Sequence, residues 1–190
     1  SWSRIMPNGK GEINPEGVAF YSNLADELLK AGITPWVTIF HWDLPRALFE
    51  EGGFLNDKIS DYFADYAKTV VEIFGDRVKN YFIFNEPQVF VEDGHFTGAH
   101  APFLRLSRSD VFKVAHNVLL SIGKAEKVMR KTAKIELDIG CSPCFTPMIP
   151  KRKEDAELAL KYNFTPNGEF YDGCFFTDAL IKGEFTEEYK

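Results

Sequence analysis

Tyr81-Phe82-Ile83-Phe84-Asn85-Glu86-Pro87 is an apolar, aromatic run that breaks at once into an amide, a carboxyl and a proline. A run without polar alternation suits a strand covered on both faces, as in a parallel sheet flanked by helices. The same event occurs upstream, where Thr34-Pro35-Trp36-Val37-Thr38-Ile39-Phe40 ends in His41-Trp42-Asp43-Leu44-Pro45. Parallel sheets and barrels expose their ligand sites at the C-terminal ends of strands. The polar residues that follow these two runs are therefore candidates for chemistry.

Helical patterns separate the strands. Asn14 reads as an N-cap, with Pro15 at the first helical position and Glu16 near the positive end. Phe20, Leu24 and Leu28 then form one stripe, expected to be buried, and Gly32 stops the helix. A second helix is predicted from about Asn56 to Phe74, with Ile59, Phe63, Tyr66, Val70 and Phe74 at helical spacing and Gly75 closing it. A loop rich in Gly, His and Pro (Asp93 to Pro102) leads to a third helix with the stripe Val111, Ala115, Val118, Ile122, Ala125 and Met129. Lys134 to Cys141 reads as a third strand. A last helical region starts near Glu154, breaks at Pro166-Asn167-Gly168 and resumes through Phe170, Cys174 and Phe175. Strand and helix patterns alternate from end to end, so the class is α/β with parallel units.

Composition narrows the function classes. With 45% hydrophobic residues and 18 phenylalanines in 190 positions, the chain has ample material for a core, which excludes a disordered segment. Its 22 basic and 28 acidic side chains give a net charge of −6 without a Lys/Arg stripe, so nucleic acid is a poor partner. Apolar stretches fall short of the ~20 residues a bilayer span needs, and the opening Ser1-Trp2-Ser3-Arg4 has neither part of a secretion signal. Three cysteines make no disulfide framework. A cytoplasmic protein without membrane contact is expected.

Individually, the residues at the strand ends have ordinary alternatives. Glu86 could transfer a proton to and from oxygen, or simply cap a helix or form an ion pair. His41 could bond substrate hydroxyls or be a satisfied structural histidine; Trp42 could carry a sugar ring on its face or belong to the core. Cys141-Ser142-Pro143-Cys144 is a C-x-x-C, but a zinc site needs two more ligands and a small apolar strand end is the plainer reading. No metal or cofactor is expected. Asn163-Phe164-Thr165 forms a sequon, His116 lies beside the apolar stripe of its helix, and His95 and His100 lie in the loop after Glu86.

Taken in order and spacing, Ser1-Trp2-Ser3-Arg4-Ile5, His41-Trp42-Asp43-Leu44-Pro45 and Phe84-Asn85-Glu86-Pro87 resemble glycoside hydrolase family 1, the β-glucosidases and their 6-phospho-glycosidase relatives. Gly11-Glu12-Ile13-Asn14, Gly53-Phe54-Leu55-Asn56, Phe74-Gly75-Asp76-Arg77-Val78, His100-Ala101-Pro102 and Gly183-Glu184-Phe185 extend the resemblance along the whole chain. It implies a (β/α)8 TIM barrel, of which residues 1–190 would be a partial single domain, from the end of the second strand through the helical region after the fifth. It also implies a retaining mechanism with two carboxyl groups. Glu86 matches the acid/base, Asn85 the ligand of the sugar 2-hydroxyl, His41 a ligand of the glycone hydroxyls, Trp42 its neighbour in that subsite, and Arg4 the arginine beside the nucleophile. The family's nucleophile lies in a Thr-Glu-Asn-Gly motif, and no Glu-Asn-Gly occurs here. The attacking carboxylate is thus expected outside this chain, with the remainder of the barrel required for activity. The implied partner is a β-glycoside or small oligosaccharide, and Pro87 favours an unphosphorylated one. The alternatives are a 6-phospho-β-glycosidase and an inert carbohydrate-binding or assembly fragment.

Overall fold

The computed structural model describes residues 1–165, 170–171, 174–185 and 187. These fall into two compact units, one made of residues 1–85 and 112–142, the other of residues 86–111 and 143–190. The Pro166-Asn167-Gly168 break lies outside the described residues.

The first unit is built on three parallel strands, β1 (Trp36–Phe40), β2 (Asn80–Asn85) and β3 (Asp138–Ser142), in the order β1-β2-β3. Trp36 pairs with Asn80 and Phe40 with Phe84, so the C-terminal ends of β1 and β2 lie side by side. Between β2 and β3 the register shifts after Phe82. Before β1 come α1 (Trp2–Ile5) and α2 (Pro15–Lys30). A short α3 (Arg46–Glu50) and α4 (Ile59–Phe74) then connect β1 to β2. The long α6 (Arg108–Thr132) precedes β3, after α5 (Pro87–Val91).

The helices form for the reasons their sequences give. The Asn14 side chain accepts the Glu16 N–H at 3.1 Å, and Pro15 opens α2 where its missing N–H costs nothing. Every residue of the α4 stripe is buried, as is the whole stripe from Val111 to Met129. The core is aromatic. Phe40 and Phe84 meet at 4.7 Å, and both pack on Phe54 and Phe63, while Trp2 stacks on Tyr66 at 5.1 Å with nearly parallel rings. Arg77 clamps α2 to α4 by bonding Asp26 at 2.5 Å, Ser22 at 2.7 Å and the Ile73 carbonyl at 2.9 Å. Gly17 is obligatory for close approach, because a Cβ there would stand 2.0 Å from the Arg4 carbonyl oxygen.

Two expectations need correction. The face of α2 expected to be buried is largely open: Phe20 is 53% and Leu24 45% exposed, with the Arg4 guanidinium 5.6 Å from the centre of the Phe20 ring and Leu28 half-buried. The third strand begins at Asp138 and not at Lys134. Lys134 N–H goes to the Gly75 carbonyl and the Leu137 carbonyl to Arg130, which leaves those groups unavailable for pairing.

The second unit holds α5, the wide π turn Glu92–Phe96, α7 (Ala156–Phe164) and α8 (Phe175–Lys182), which ends at Gly183 in the left-handed conformation. Its anchor is Arg108, paired with the buried Glu92 at 3.2 Å and lying over the rings of Phe96 and Phe170, each at 5.0 Å. Tyr171 donates to Asp93 at 2.7 Å.

Candidate active site

Parallel register brings His41 and Asn85 together at the adjoining ends of β1 and β2. The Asn85 amide lies 3.2 Å from His41 Nε2. The Trp42 indole N–H donates to the Asn85 carbonyl at 2.9 Å, and its ring stands edge-on to His41, with centroids 5.1 Å apart. Three of the five residues singled out from the sequence thus form one connected group, with His41 exposed and the other two partly so. Donors, acceptors and an aromatic face lie within a few ångströms of one another, a combination suited to a polyhydroxylated ring.

Glu86 is the next residue in the chain and opens the second unit. It is partly exposed and takes φ 43°, while its carbonyl accepts the Phe90 N–H at 3.1 Å to start α5. Pro87 follows at the first helical position. Trp42 also adopts a positive φ, 71°. Left-handed backbone at a bulky or charged residue costs about 1–3 kcal/mol and persists where the surroundings impose it, commonly at functional sites. Glu86 directly follows β2 and Trp42 stands two residues after β1, a placement not visible in the sequence, since neither is a glycine.

Arg4 is exposed at the end of α1, with its guanidinium 5.6 Å from the centre of the Phe20 ring. Among the described residues, no hydrogen bond joins Arg4 to His41, Trp42 or Asn85. Of the other candidates, His95 is buried, with Nδ1 2.9 Å from the Phe90 carbonyl and its ring packed on Phe90, and burial holds its pKa below the ordinary value. It belongs to the frame of the second unit. His100 and His116 are exposed. Among the described residues no group of three His, Cys, Asp or Glu gathers that could hold a metal ion, and no helix is long and apolar enough to cross a membrane. Sequence reasoning missed Asp43, which accepts the Trp2 N–H at 2.8 Å, and Gln88, fully buried on α5 and accepting the Cys144 N–H at 3.2 Å. Polar residues in a motif read as solvent- or ligand-facing, and nothing in their spacing reveals a backbone partner tens of residues away.

A parallel α/β sheet thus gathers a histidine, a tryptophan and an asparagine at its strand ends, followed directly by a glutamate. The family model for glycosyl hydrolase family 1 matches residues 1–190, and the chain belongs to that family. It is 48% identical over 137 residues to β-glucosidase A of Thermotoga maritima, an alignment covering 70% of this chain and 30% of that protein. To the 6-phospho-β-glucosidase GmuD of Bacillus subtilis it is 38% identical, over 99% of this chain and 39% of the relative. A solved β-glucosidase from Thermotoga maritima, in complex with noeuromycin, superimposes with a TM-score of 0.85 at 38% identity, over 99% of this chain and 41% of that one. The chain therefore spans well under half the length of these relatives. Its three strands and their helices are part of a TIM barrel, the fold expected from the sequence.

Proposed function

We propose that this chain supplies the acid/base side of a retaining β-glycoside hydrolase of the β-glucosidase type. The observation that carries this reading is the joined His41–Asn85–Trp42 group, with Glu86 one peptide bond beyond it. Glu86 donates its proton to the glycosidic oxygen while a carboxylate outside this chain attacks the anomeric carbon, so the leaving group departs as a neutral alcohol. The resulting glutamate carboxylate then takes a proton from water, whose oxygen displaces the enzyme's nucleophile and restores both groups. Asn85 bonds the sugar 2-hydroxyl, a contact that strengthens as positive charge grows at the anomeric centre. His41 binds other hydroxyls of the same ring and Trp42 lies beside it in that subsite. Arg4 keeps the nucleophile ionised by its positive charge.

An unphosphorylated β-glycoside is the preferred substrate class. The more similar relative is a β-glucosidase, although the likeness to a 6-phospho-β-glucosidase keeps a phosphorylated sugar as the second reading. In the whole protein that carries this sequence, Glu86→Ala should slow substrates with poor leaving groups on the order of 10²–10⁴-fold and activated aryl glycosides far less, because only the former need the proton. Steady-state rates across a series of aglycones measure this. An equal loss for every aglycone would mean that Glu86 is structural.

A further inference from the structure

Trp42 is the strained hinge of the candidate site, and it is held on both sides. Its indole is bonded to the Asn85 carbonyl at 2.9 Å. On the exit side Asp43, partly buried, accepts the Trp2 N–H at 2.8 Å through Oδ2. Trp2 is fully buried, stacked on Tyr66, edge-on to Phe40 and Phe63, and donates its own indole N–H to the Gly9 carbonyl at 3.1 Å. A strained φ survives only where neighbouring contacts over-determine it. A residue that merely filled space after the turn would not need a carboxylate aimed at the backbone of a fully buried residue 41 positions away.

We propose that Asp43 is a positioning residue for sugar recognition, which keeps Trp42 in its left-handed turn and thereby sets the directions of the Trp42 and His41 side chains. This rests on the glycosidase reading of those two residues. The Asp43 carboxylate touches no substrate in this account. It acts through the backbone, and it ties the turn to α1, on which Arg4 lies two residues beyond Trp2.

The test uses the whole protein carrying this sequence, with Asp43→Ala, Asp43→Glu and Asp43→Asn, each alone and combined with His41→Ala. Asp43→Ala and Asp43→Glu should lower kcat/KM for β-glucosides about 10–100-fold, whereas Asp43→Asn, whose Oδ1 still accepts the Trp2 N–H, recovers most of the loss. Combined with His41→Ala, Asp43→Ala should add little further loss, since both act on one recognition element. A second readout is independent of turnover: the indole N–H resonance of Trp42, assigned with Trp42→Phe, should shift and exchange faster in Asp43→Ala but not in Asp43→Asn. If Asp43→Ala fails to fold, Asp43→Glu, which keeps the charge but displaces the acceptor, carries the same two measurements. Independent, multiplying losses or an unmoved Trp42 resonance would overturn the proposal. A wild-type protein that cleaves no β-glycoside would instead sink the glycosidase reading, while the resonance still decides whether Asp43 fixes Trp42.

Discussion

Cys141 shows how burial decides the chemistry of a single residue. Its thiol donates to the Phe84 carbonyl at 3.2 Å, and desolvation pushes its pKa up to about 11. The thiolate is the reactive form, so at pH 8 alkylation of Cys141 in the folded chain should be on the order of 10²-fold slower than for an unperturbed thiol. Timed iodoacetamide treatment followed by peptide mass spectrometry measures this, and modification of Cys141 at the rate of the unfolded chain would contradict it. Solvation of this kind is a property that the C-x-x-C spacing does not carry. The glutamate motif fares differently. Which residues stand at the strand ends was legible because an apolar run must stop where the sheet stops, but the left-handed backbone of Trp42 and Glu86 was not, since L-residues with side chains carry no signature of positive φ.

Among the elements, periodicity identified the helices and failed to say what covers them. The stripe of α4 is buried along its length, whereas α2, with equally regular spacing, leaves Phe20 and Leu24 in the open. An amphipathic pattern reports that an apolar face exists, and only the tertiary partner decides its fate. The π turn Glu92–Phe96 was missed because a stretch rich in Gly and His reads as a surface loop; the contact between His95 and the Phe90 carbonyl, five residues back, is what draws the ring inside. That burial has a consequence for pH. The unfolded chain protonates His95 near the ordinary value of about 6.5, the folded chain only at lower pH, so below about 6.5 the unfolded state binds more protons and stability falls. The contribution is fully present above that value and is lost as the pH drops through the depressed folded pKa. Urea or thermal unfolding between pH 7 and pH 5 should accordingly show a steeper loss of stability for the natural chain than for His95→Phe. Parallel curves for the two would mean that His95 titrates alike in both states.

For the molecule as a whole, three parallel strands cannot close a barrel. Among the described residues β1 and β3 each pair on one side only, and Trp36, stacked on Phe82 at 5.3 Å, is 59% exposed on the sheet. Parallel sheets are ordinarily covered on both faces, so the 190-residue chain by itself should be poorly stable or associate through its open edges. Its chemistry should be incomplete in a defined way. A mechanism-based fluoroglycoside traps a glycosidase by forming an ester with the nucleophilic carboxylate, and no Glu-Asn-Gly stands anywhere in this sequence. Glu86 does not replace it, because a carboxyl placed beside the glycosidic oxygen can pass a proton but has no line of approach to the opposite face of the anomeric carbon. The isolated chain should therefore keep its unmodified mass after incubation with the reagent and hydrolyse no β-glycoside. Supplying the rest of the barrel as a second polypeptide should restore labelling, on that second piece. A stoichiometric adduct on any carboxylate of the 190-residue chain would place the nucleophile here and overturn the division of roles on which the proposed mechanism depends.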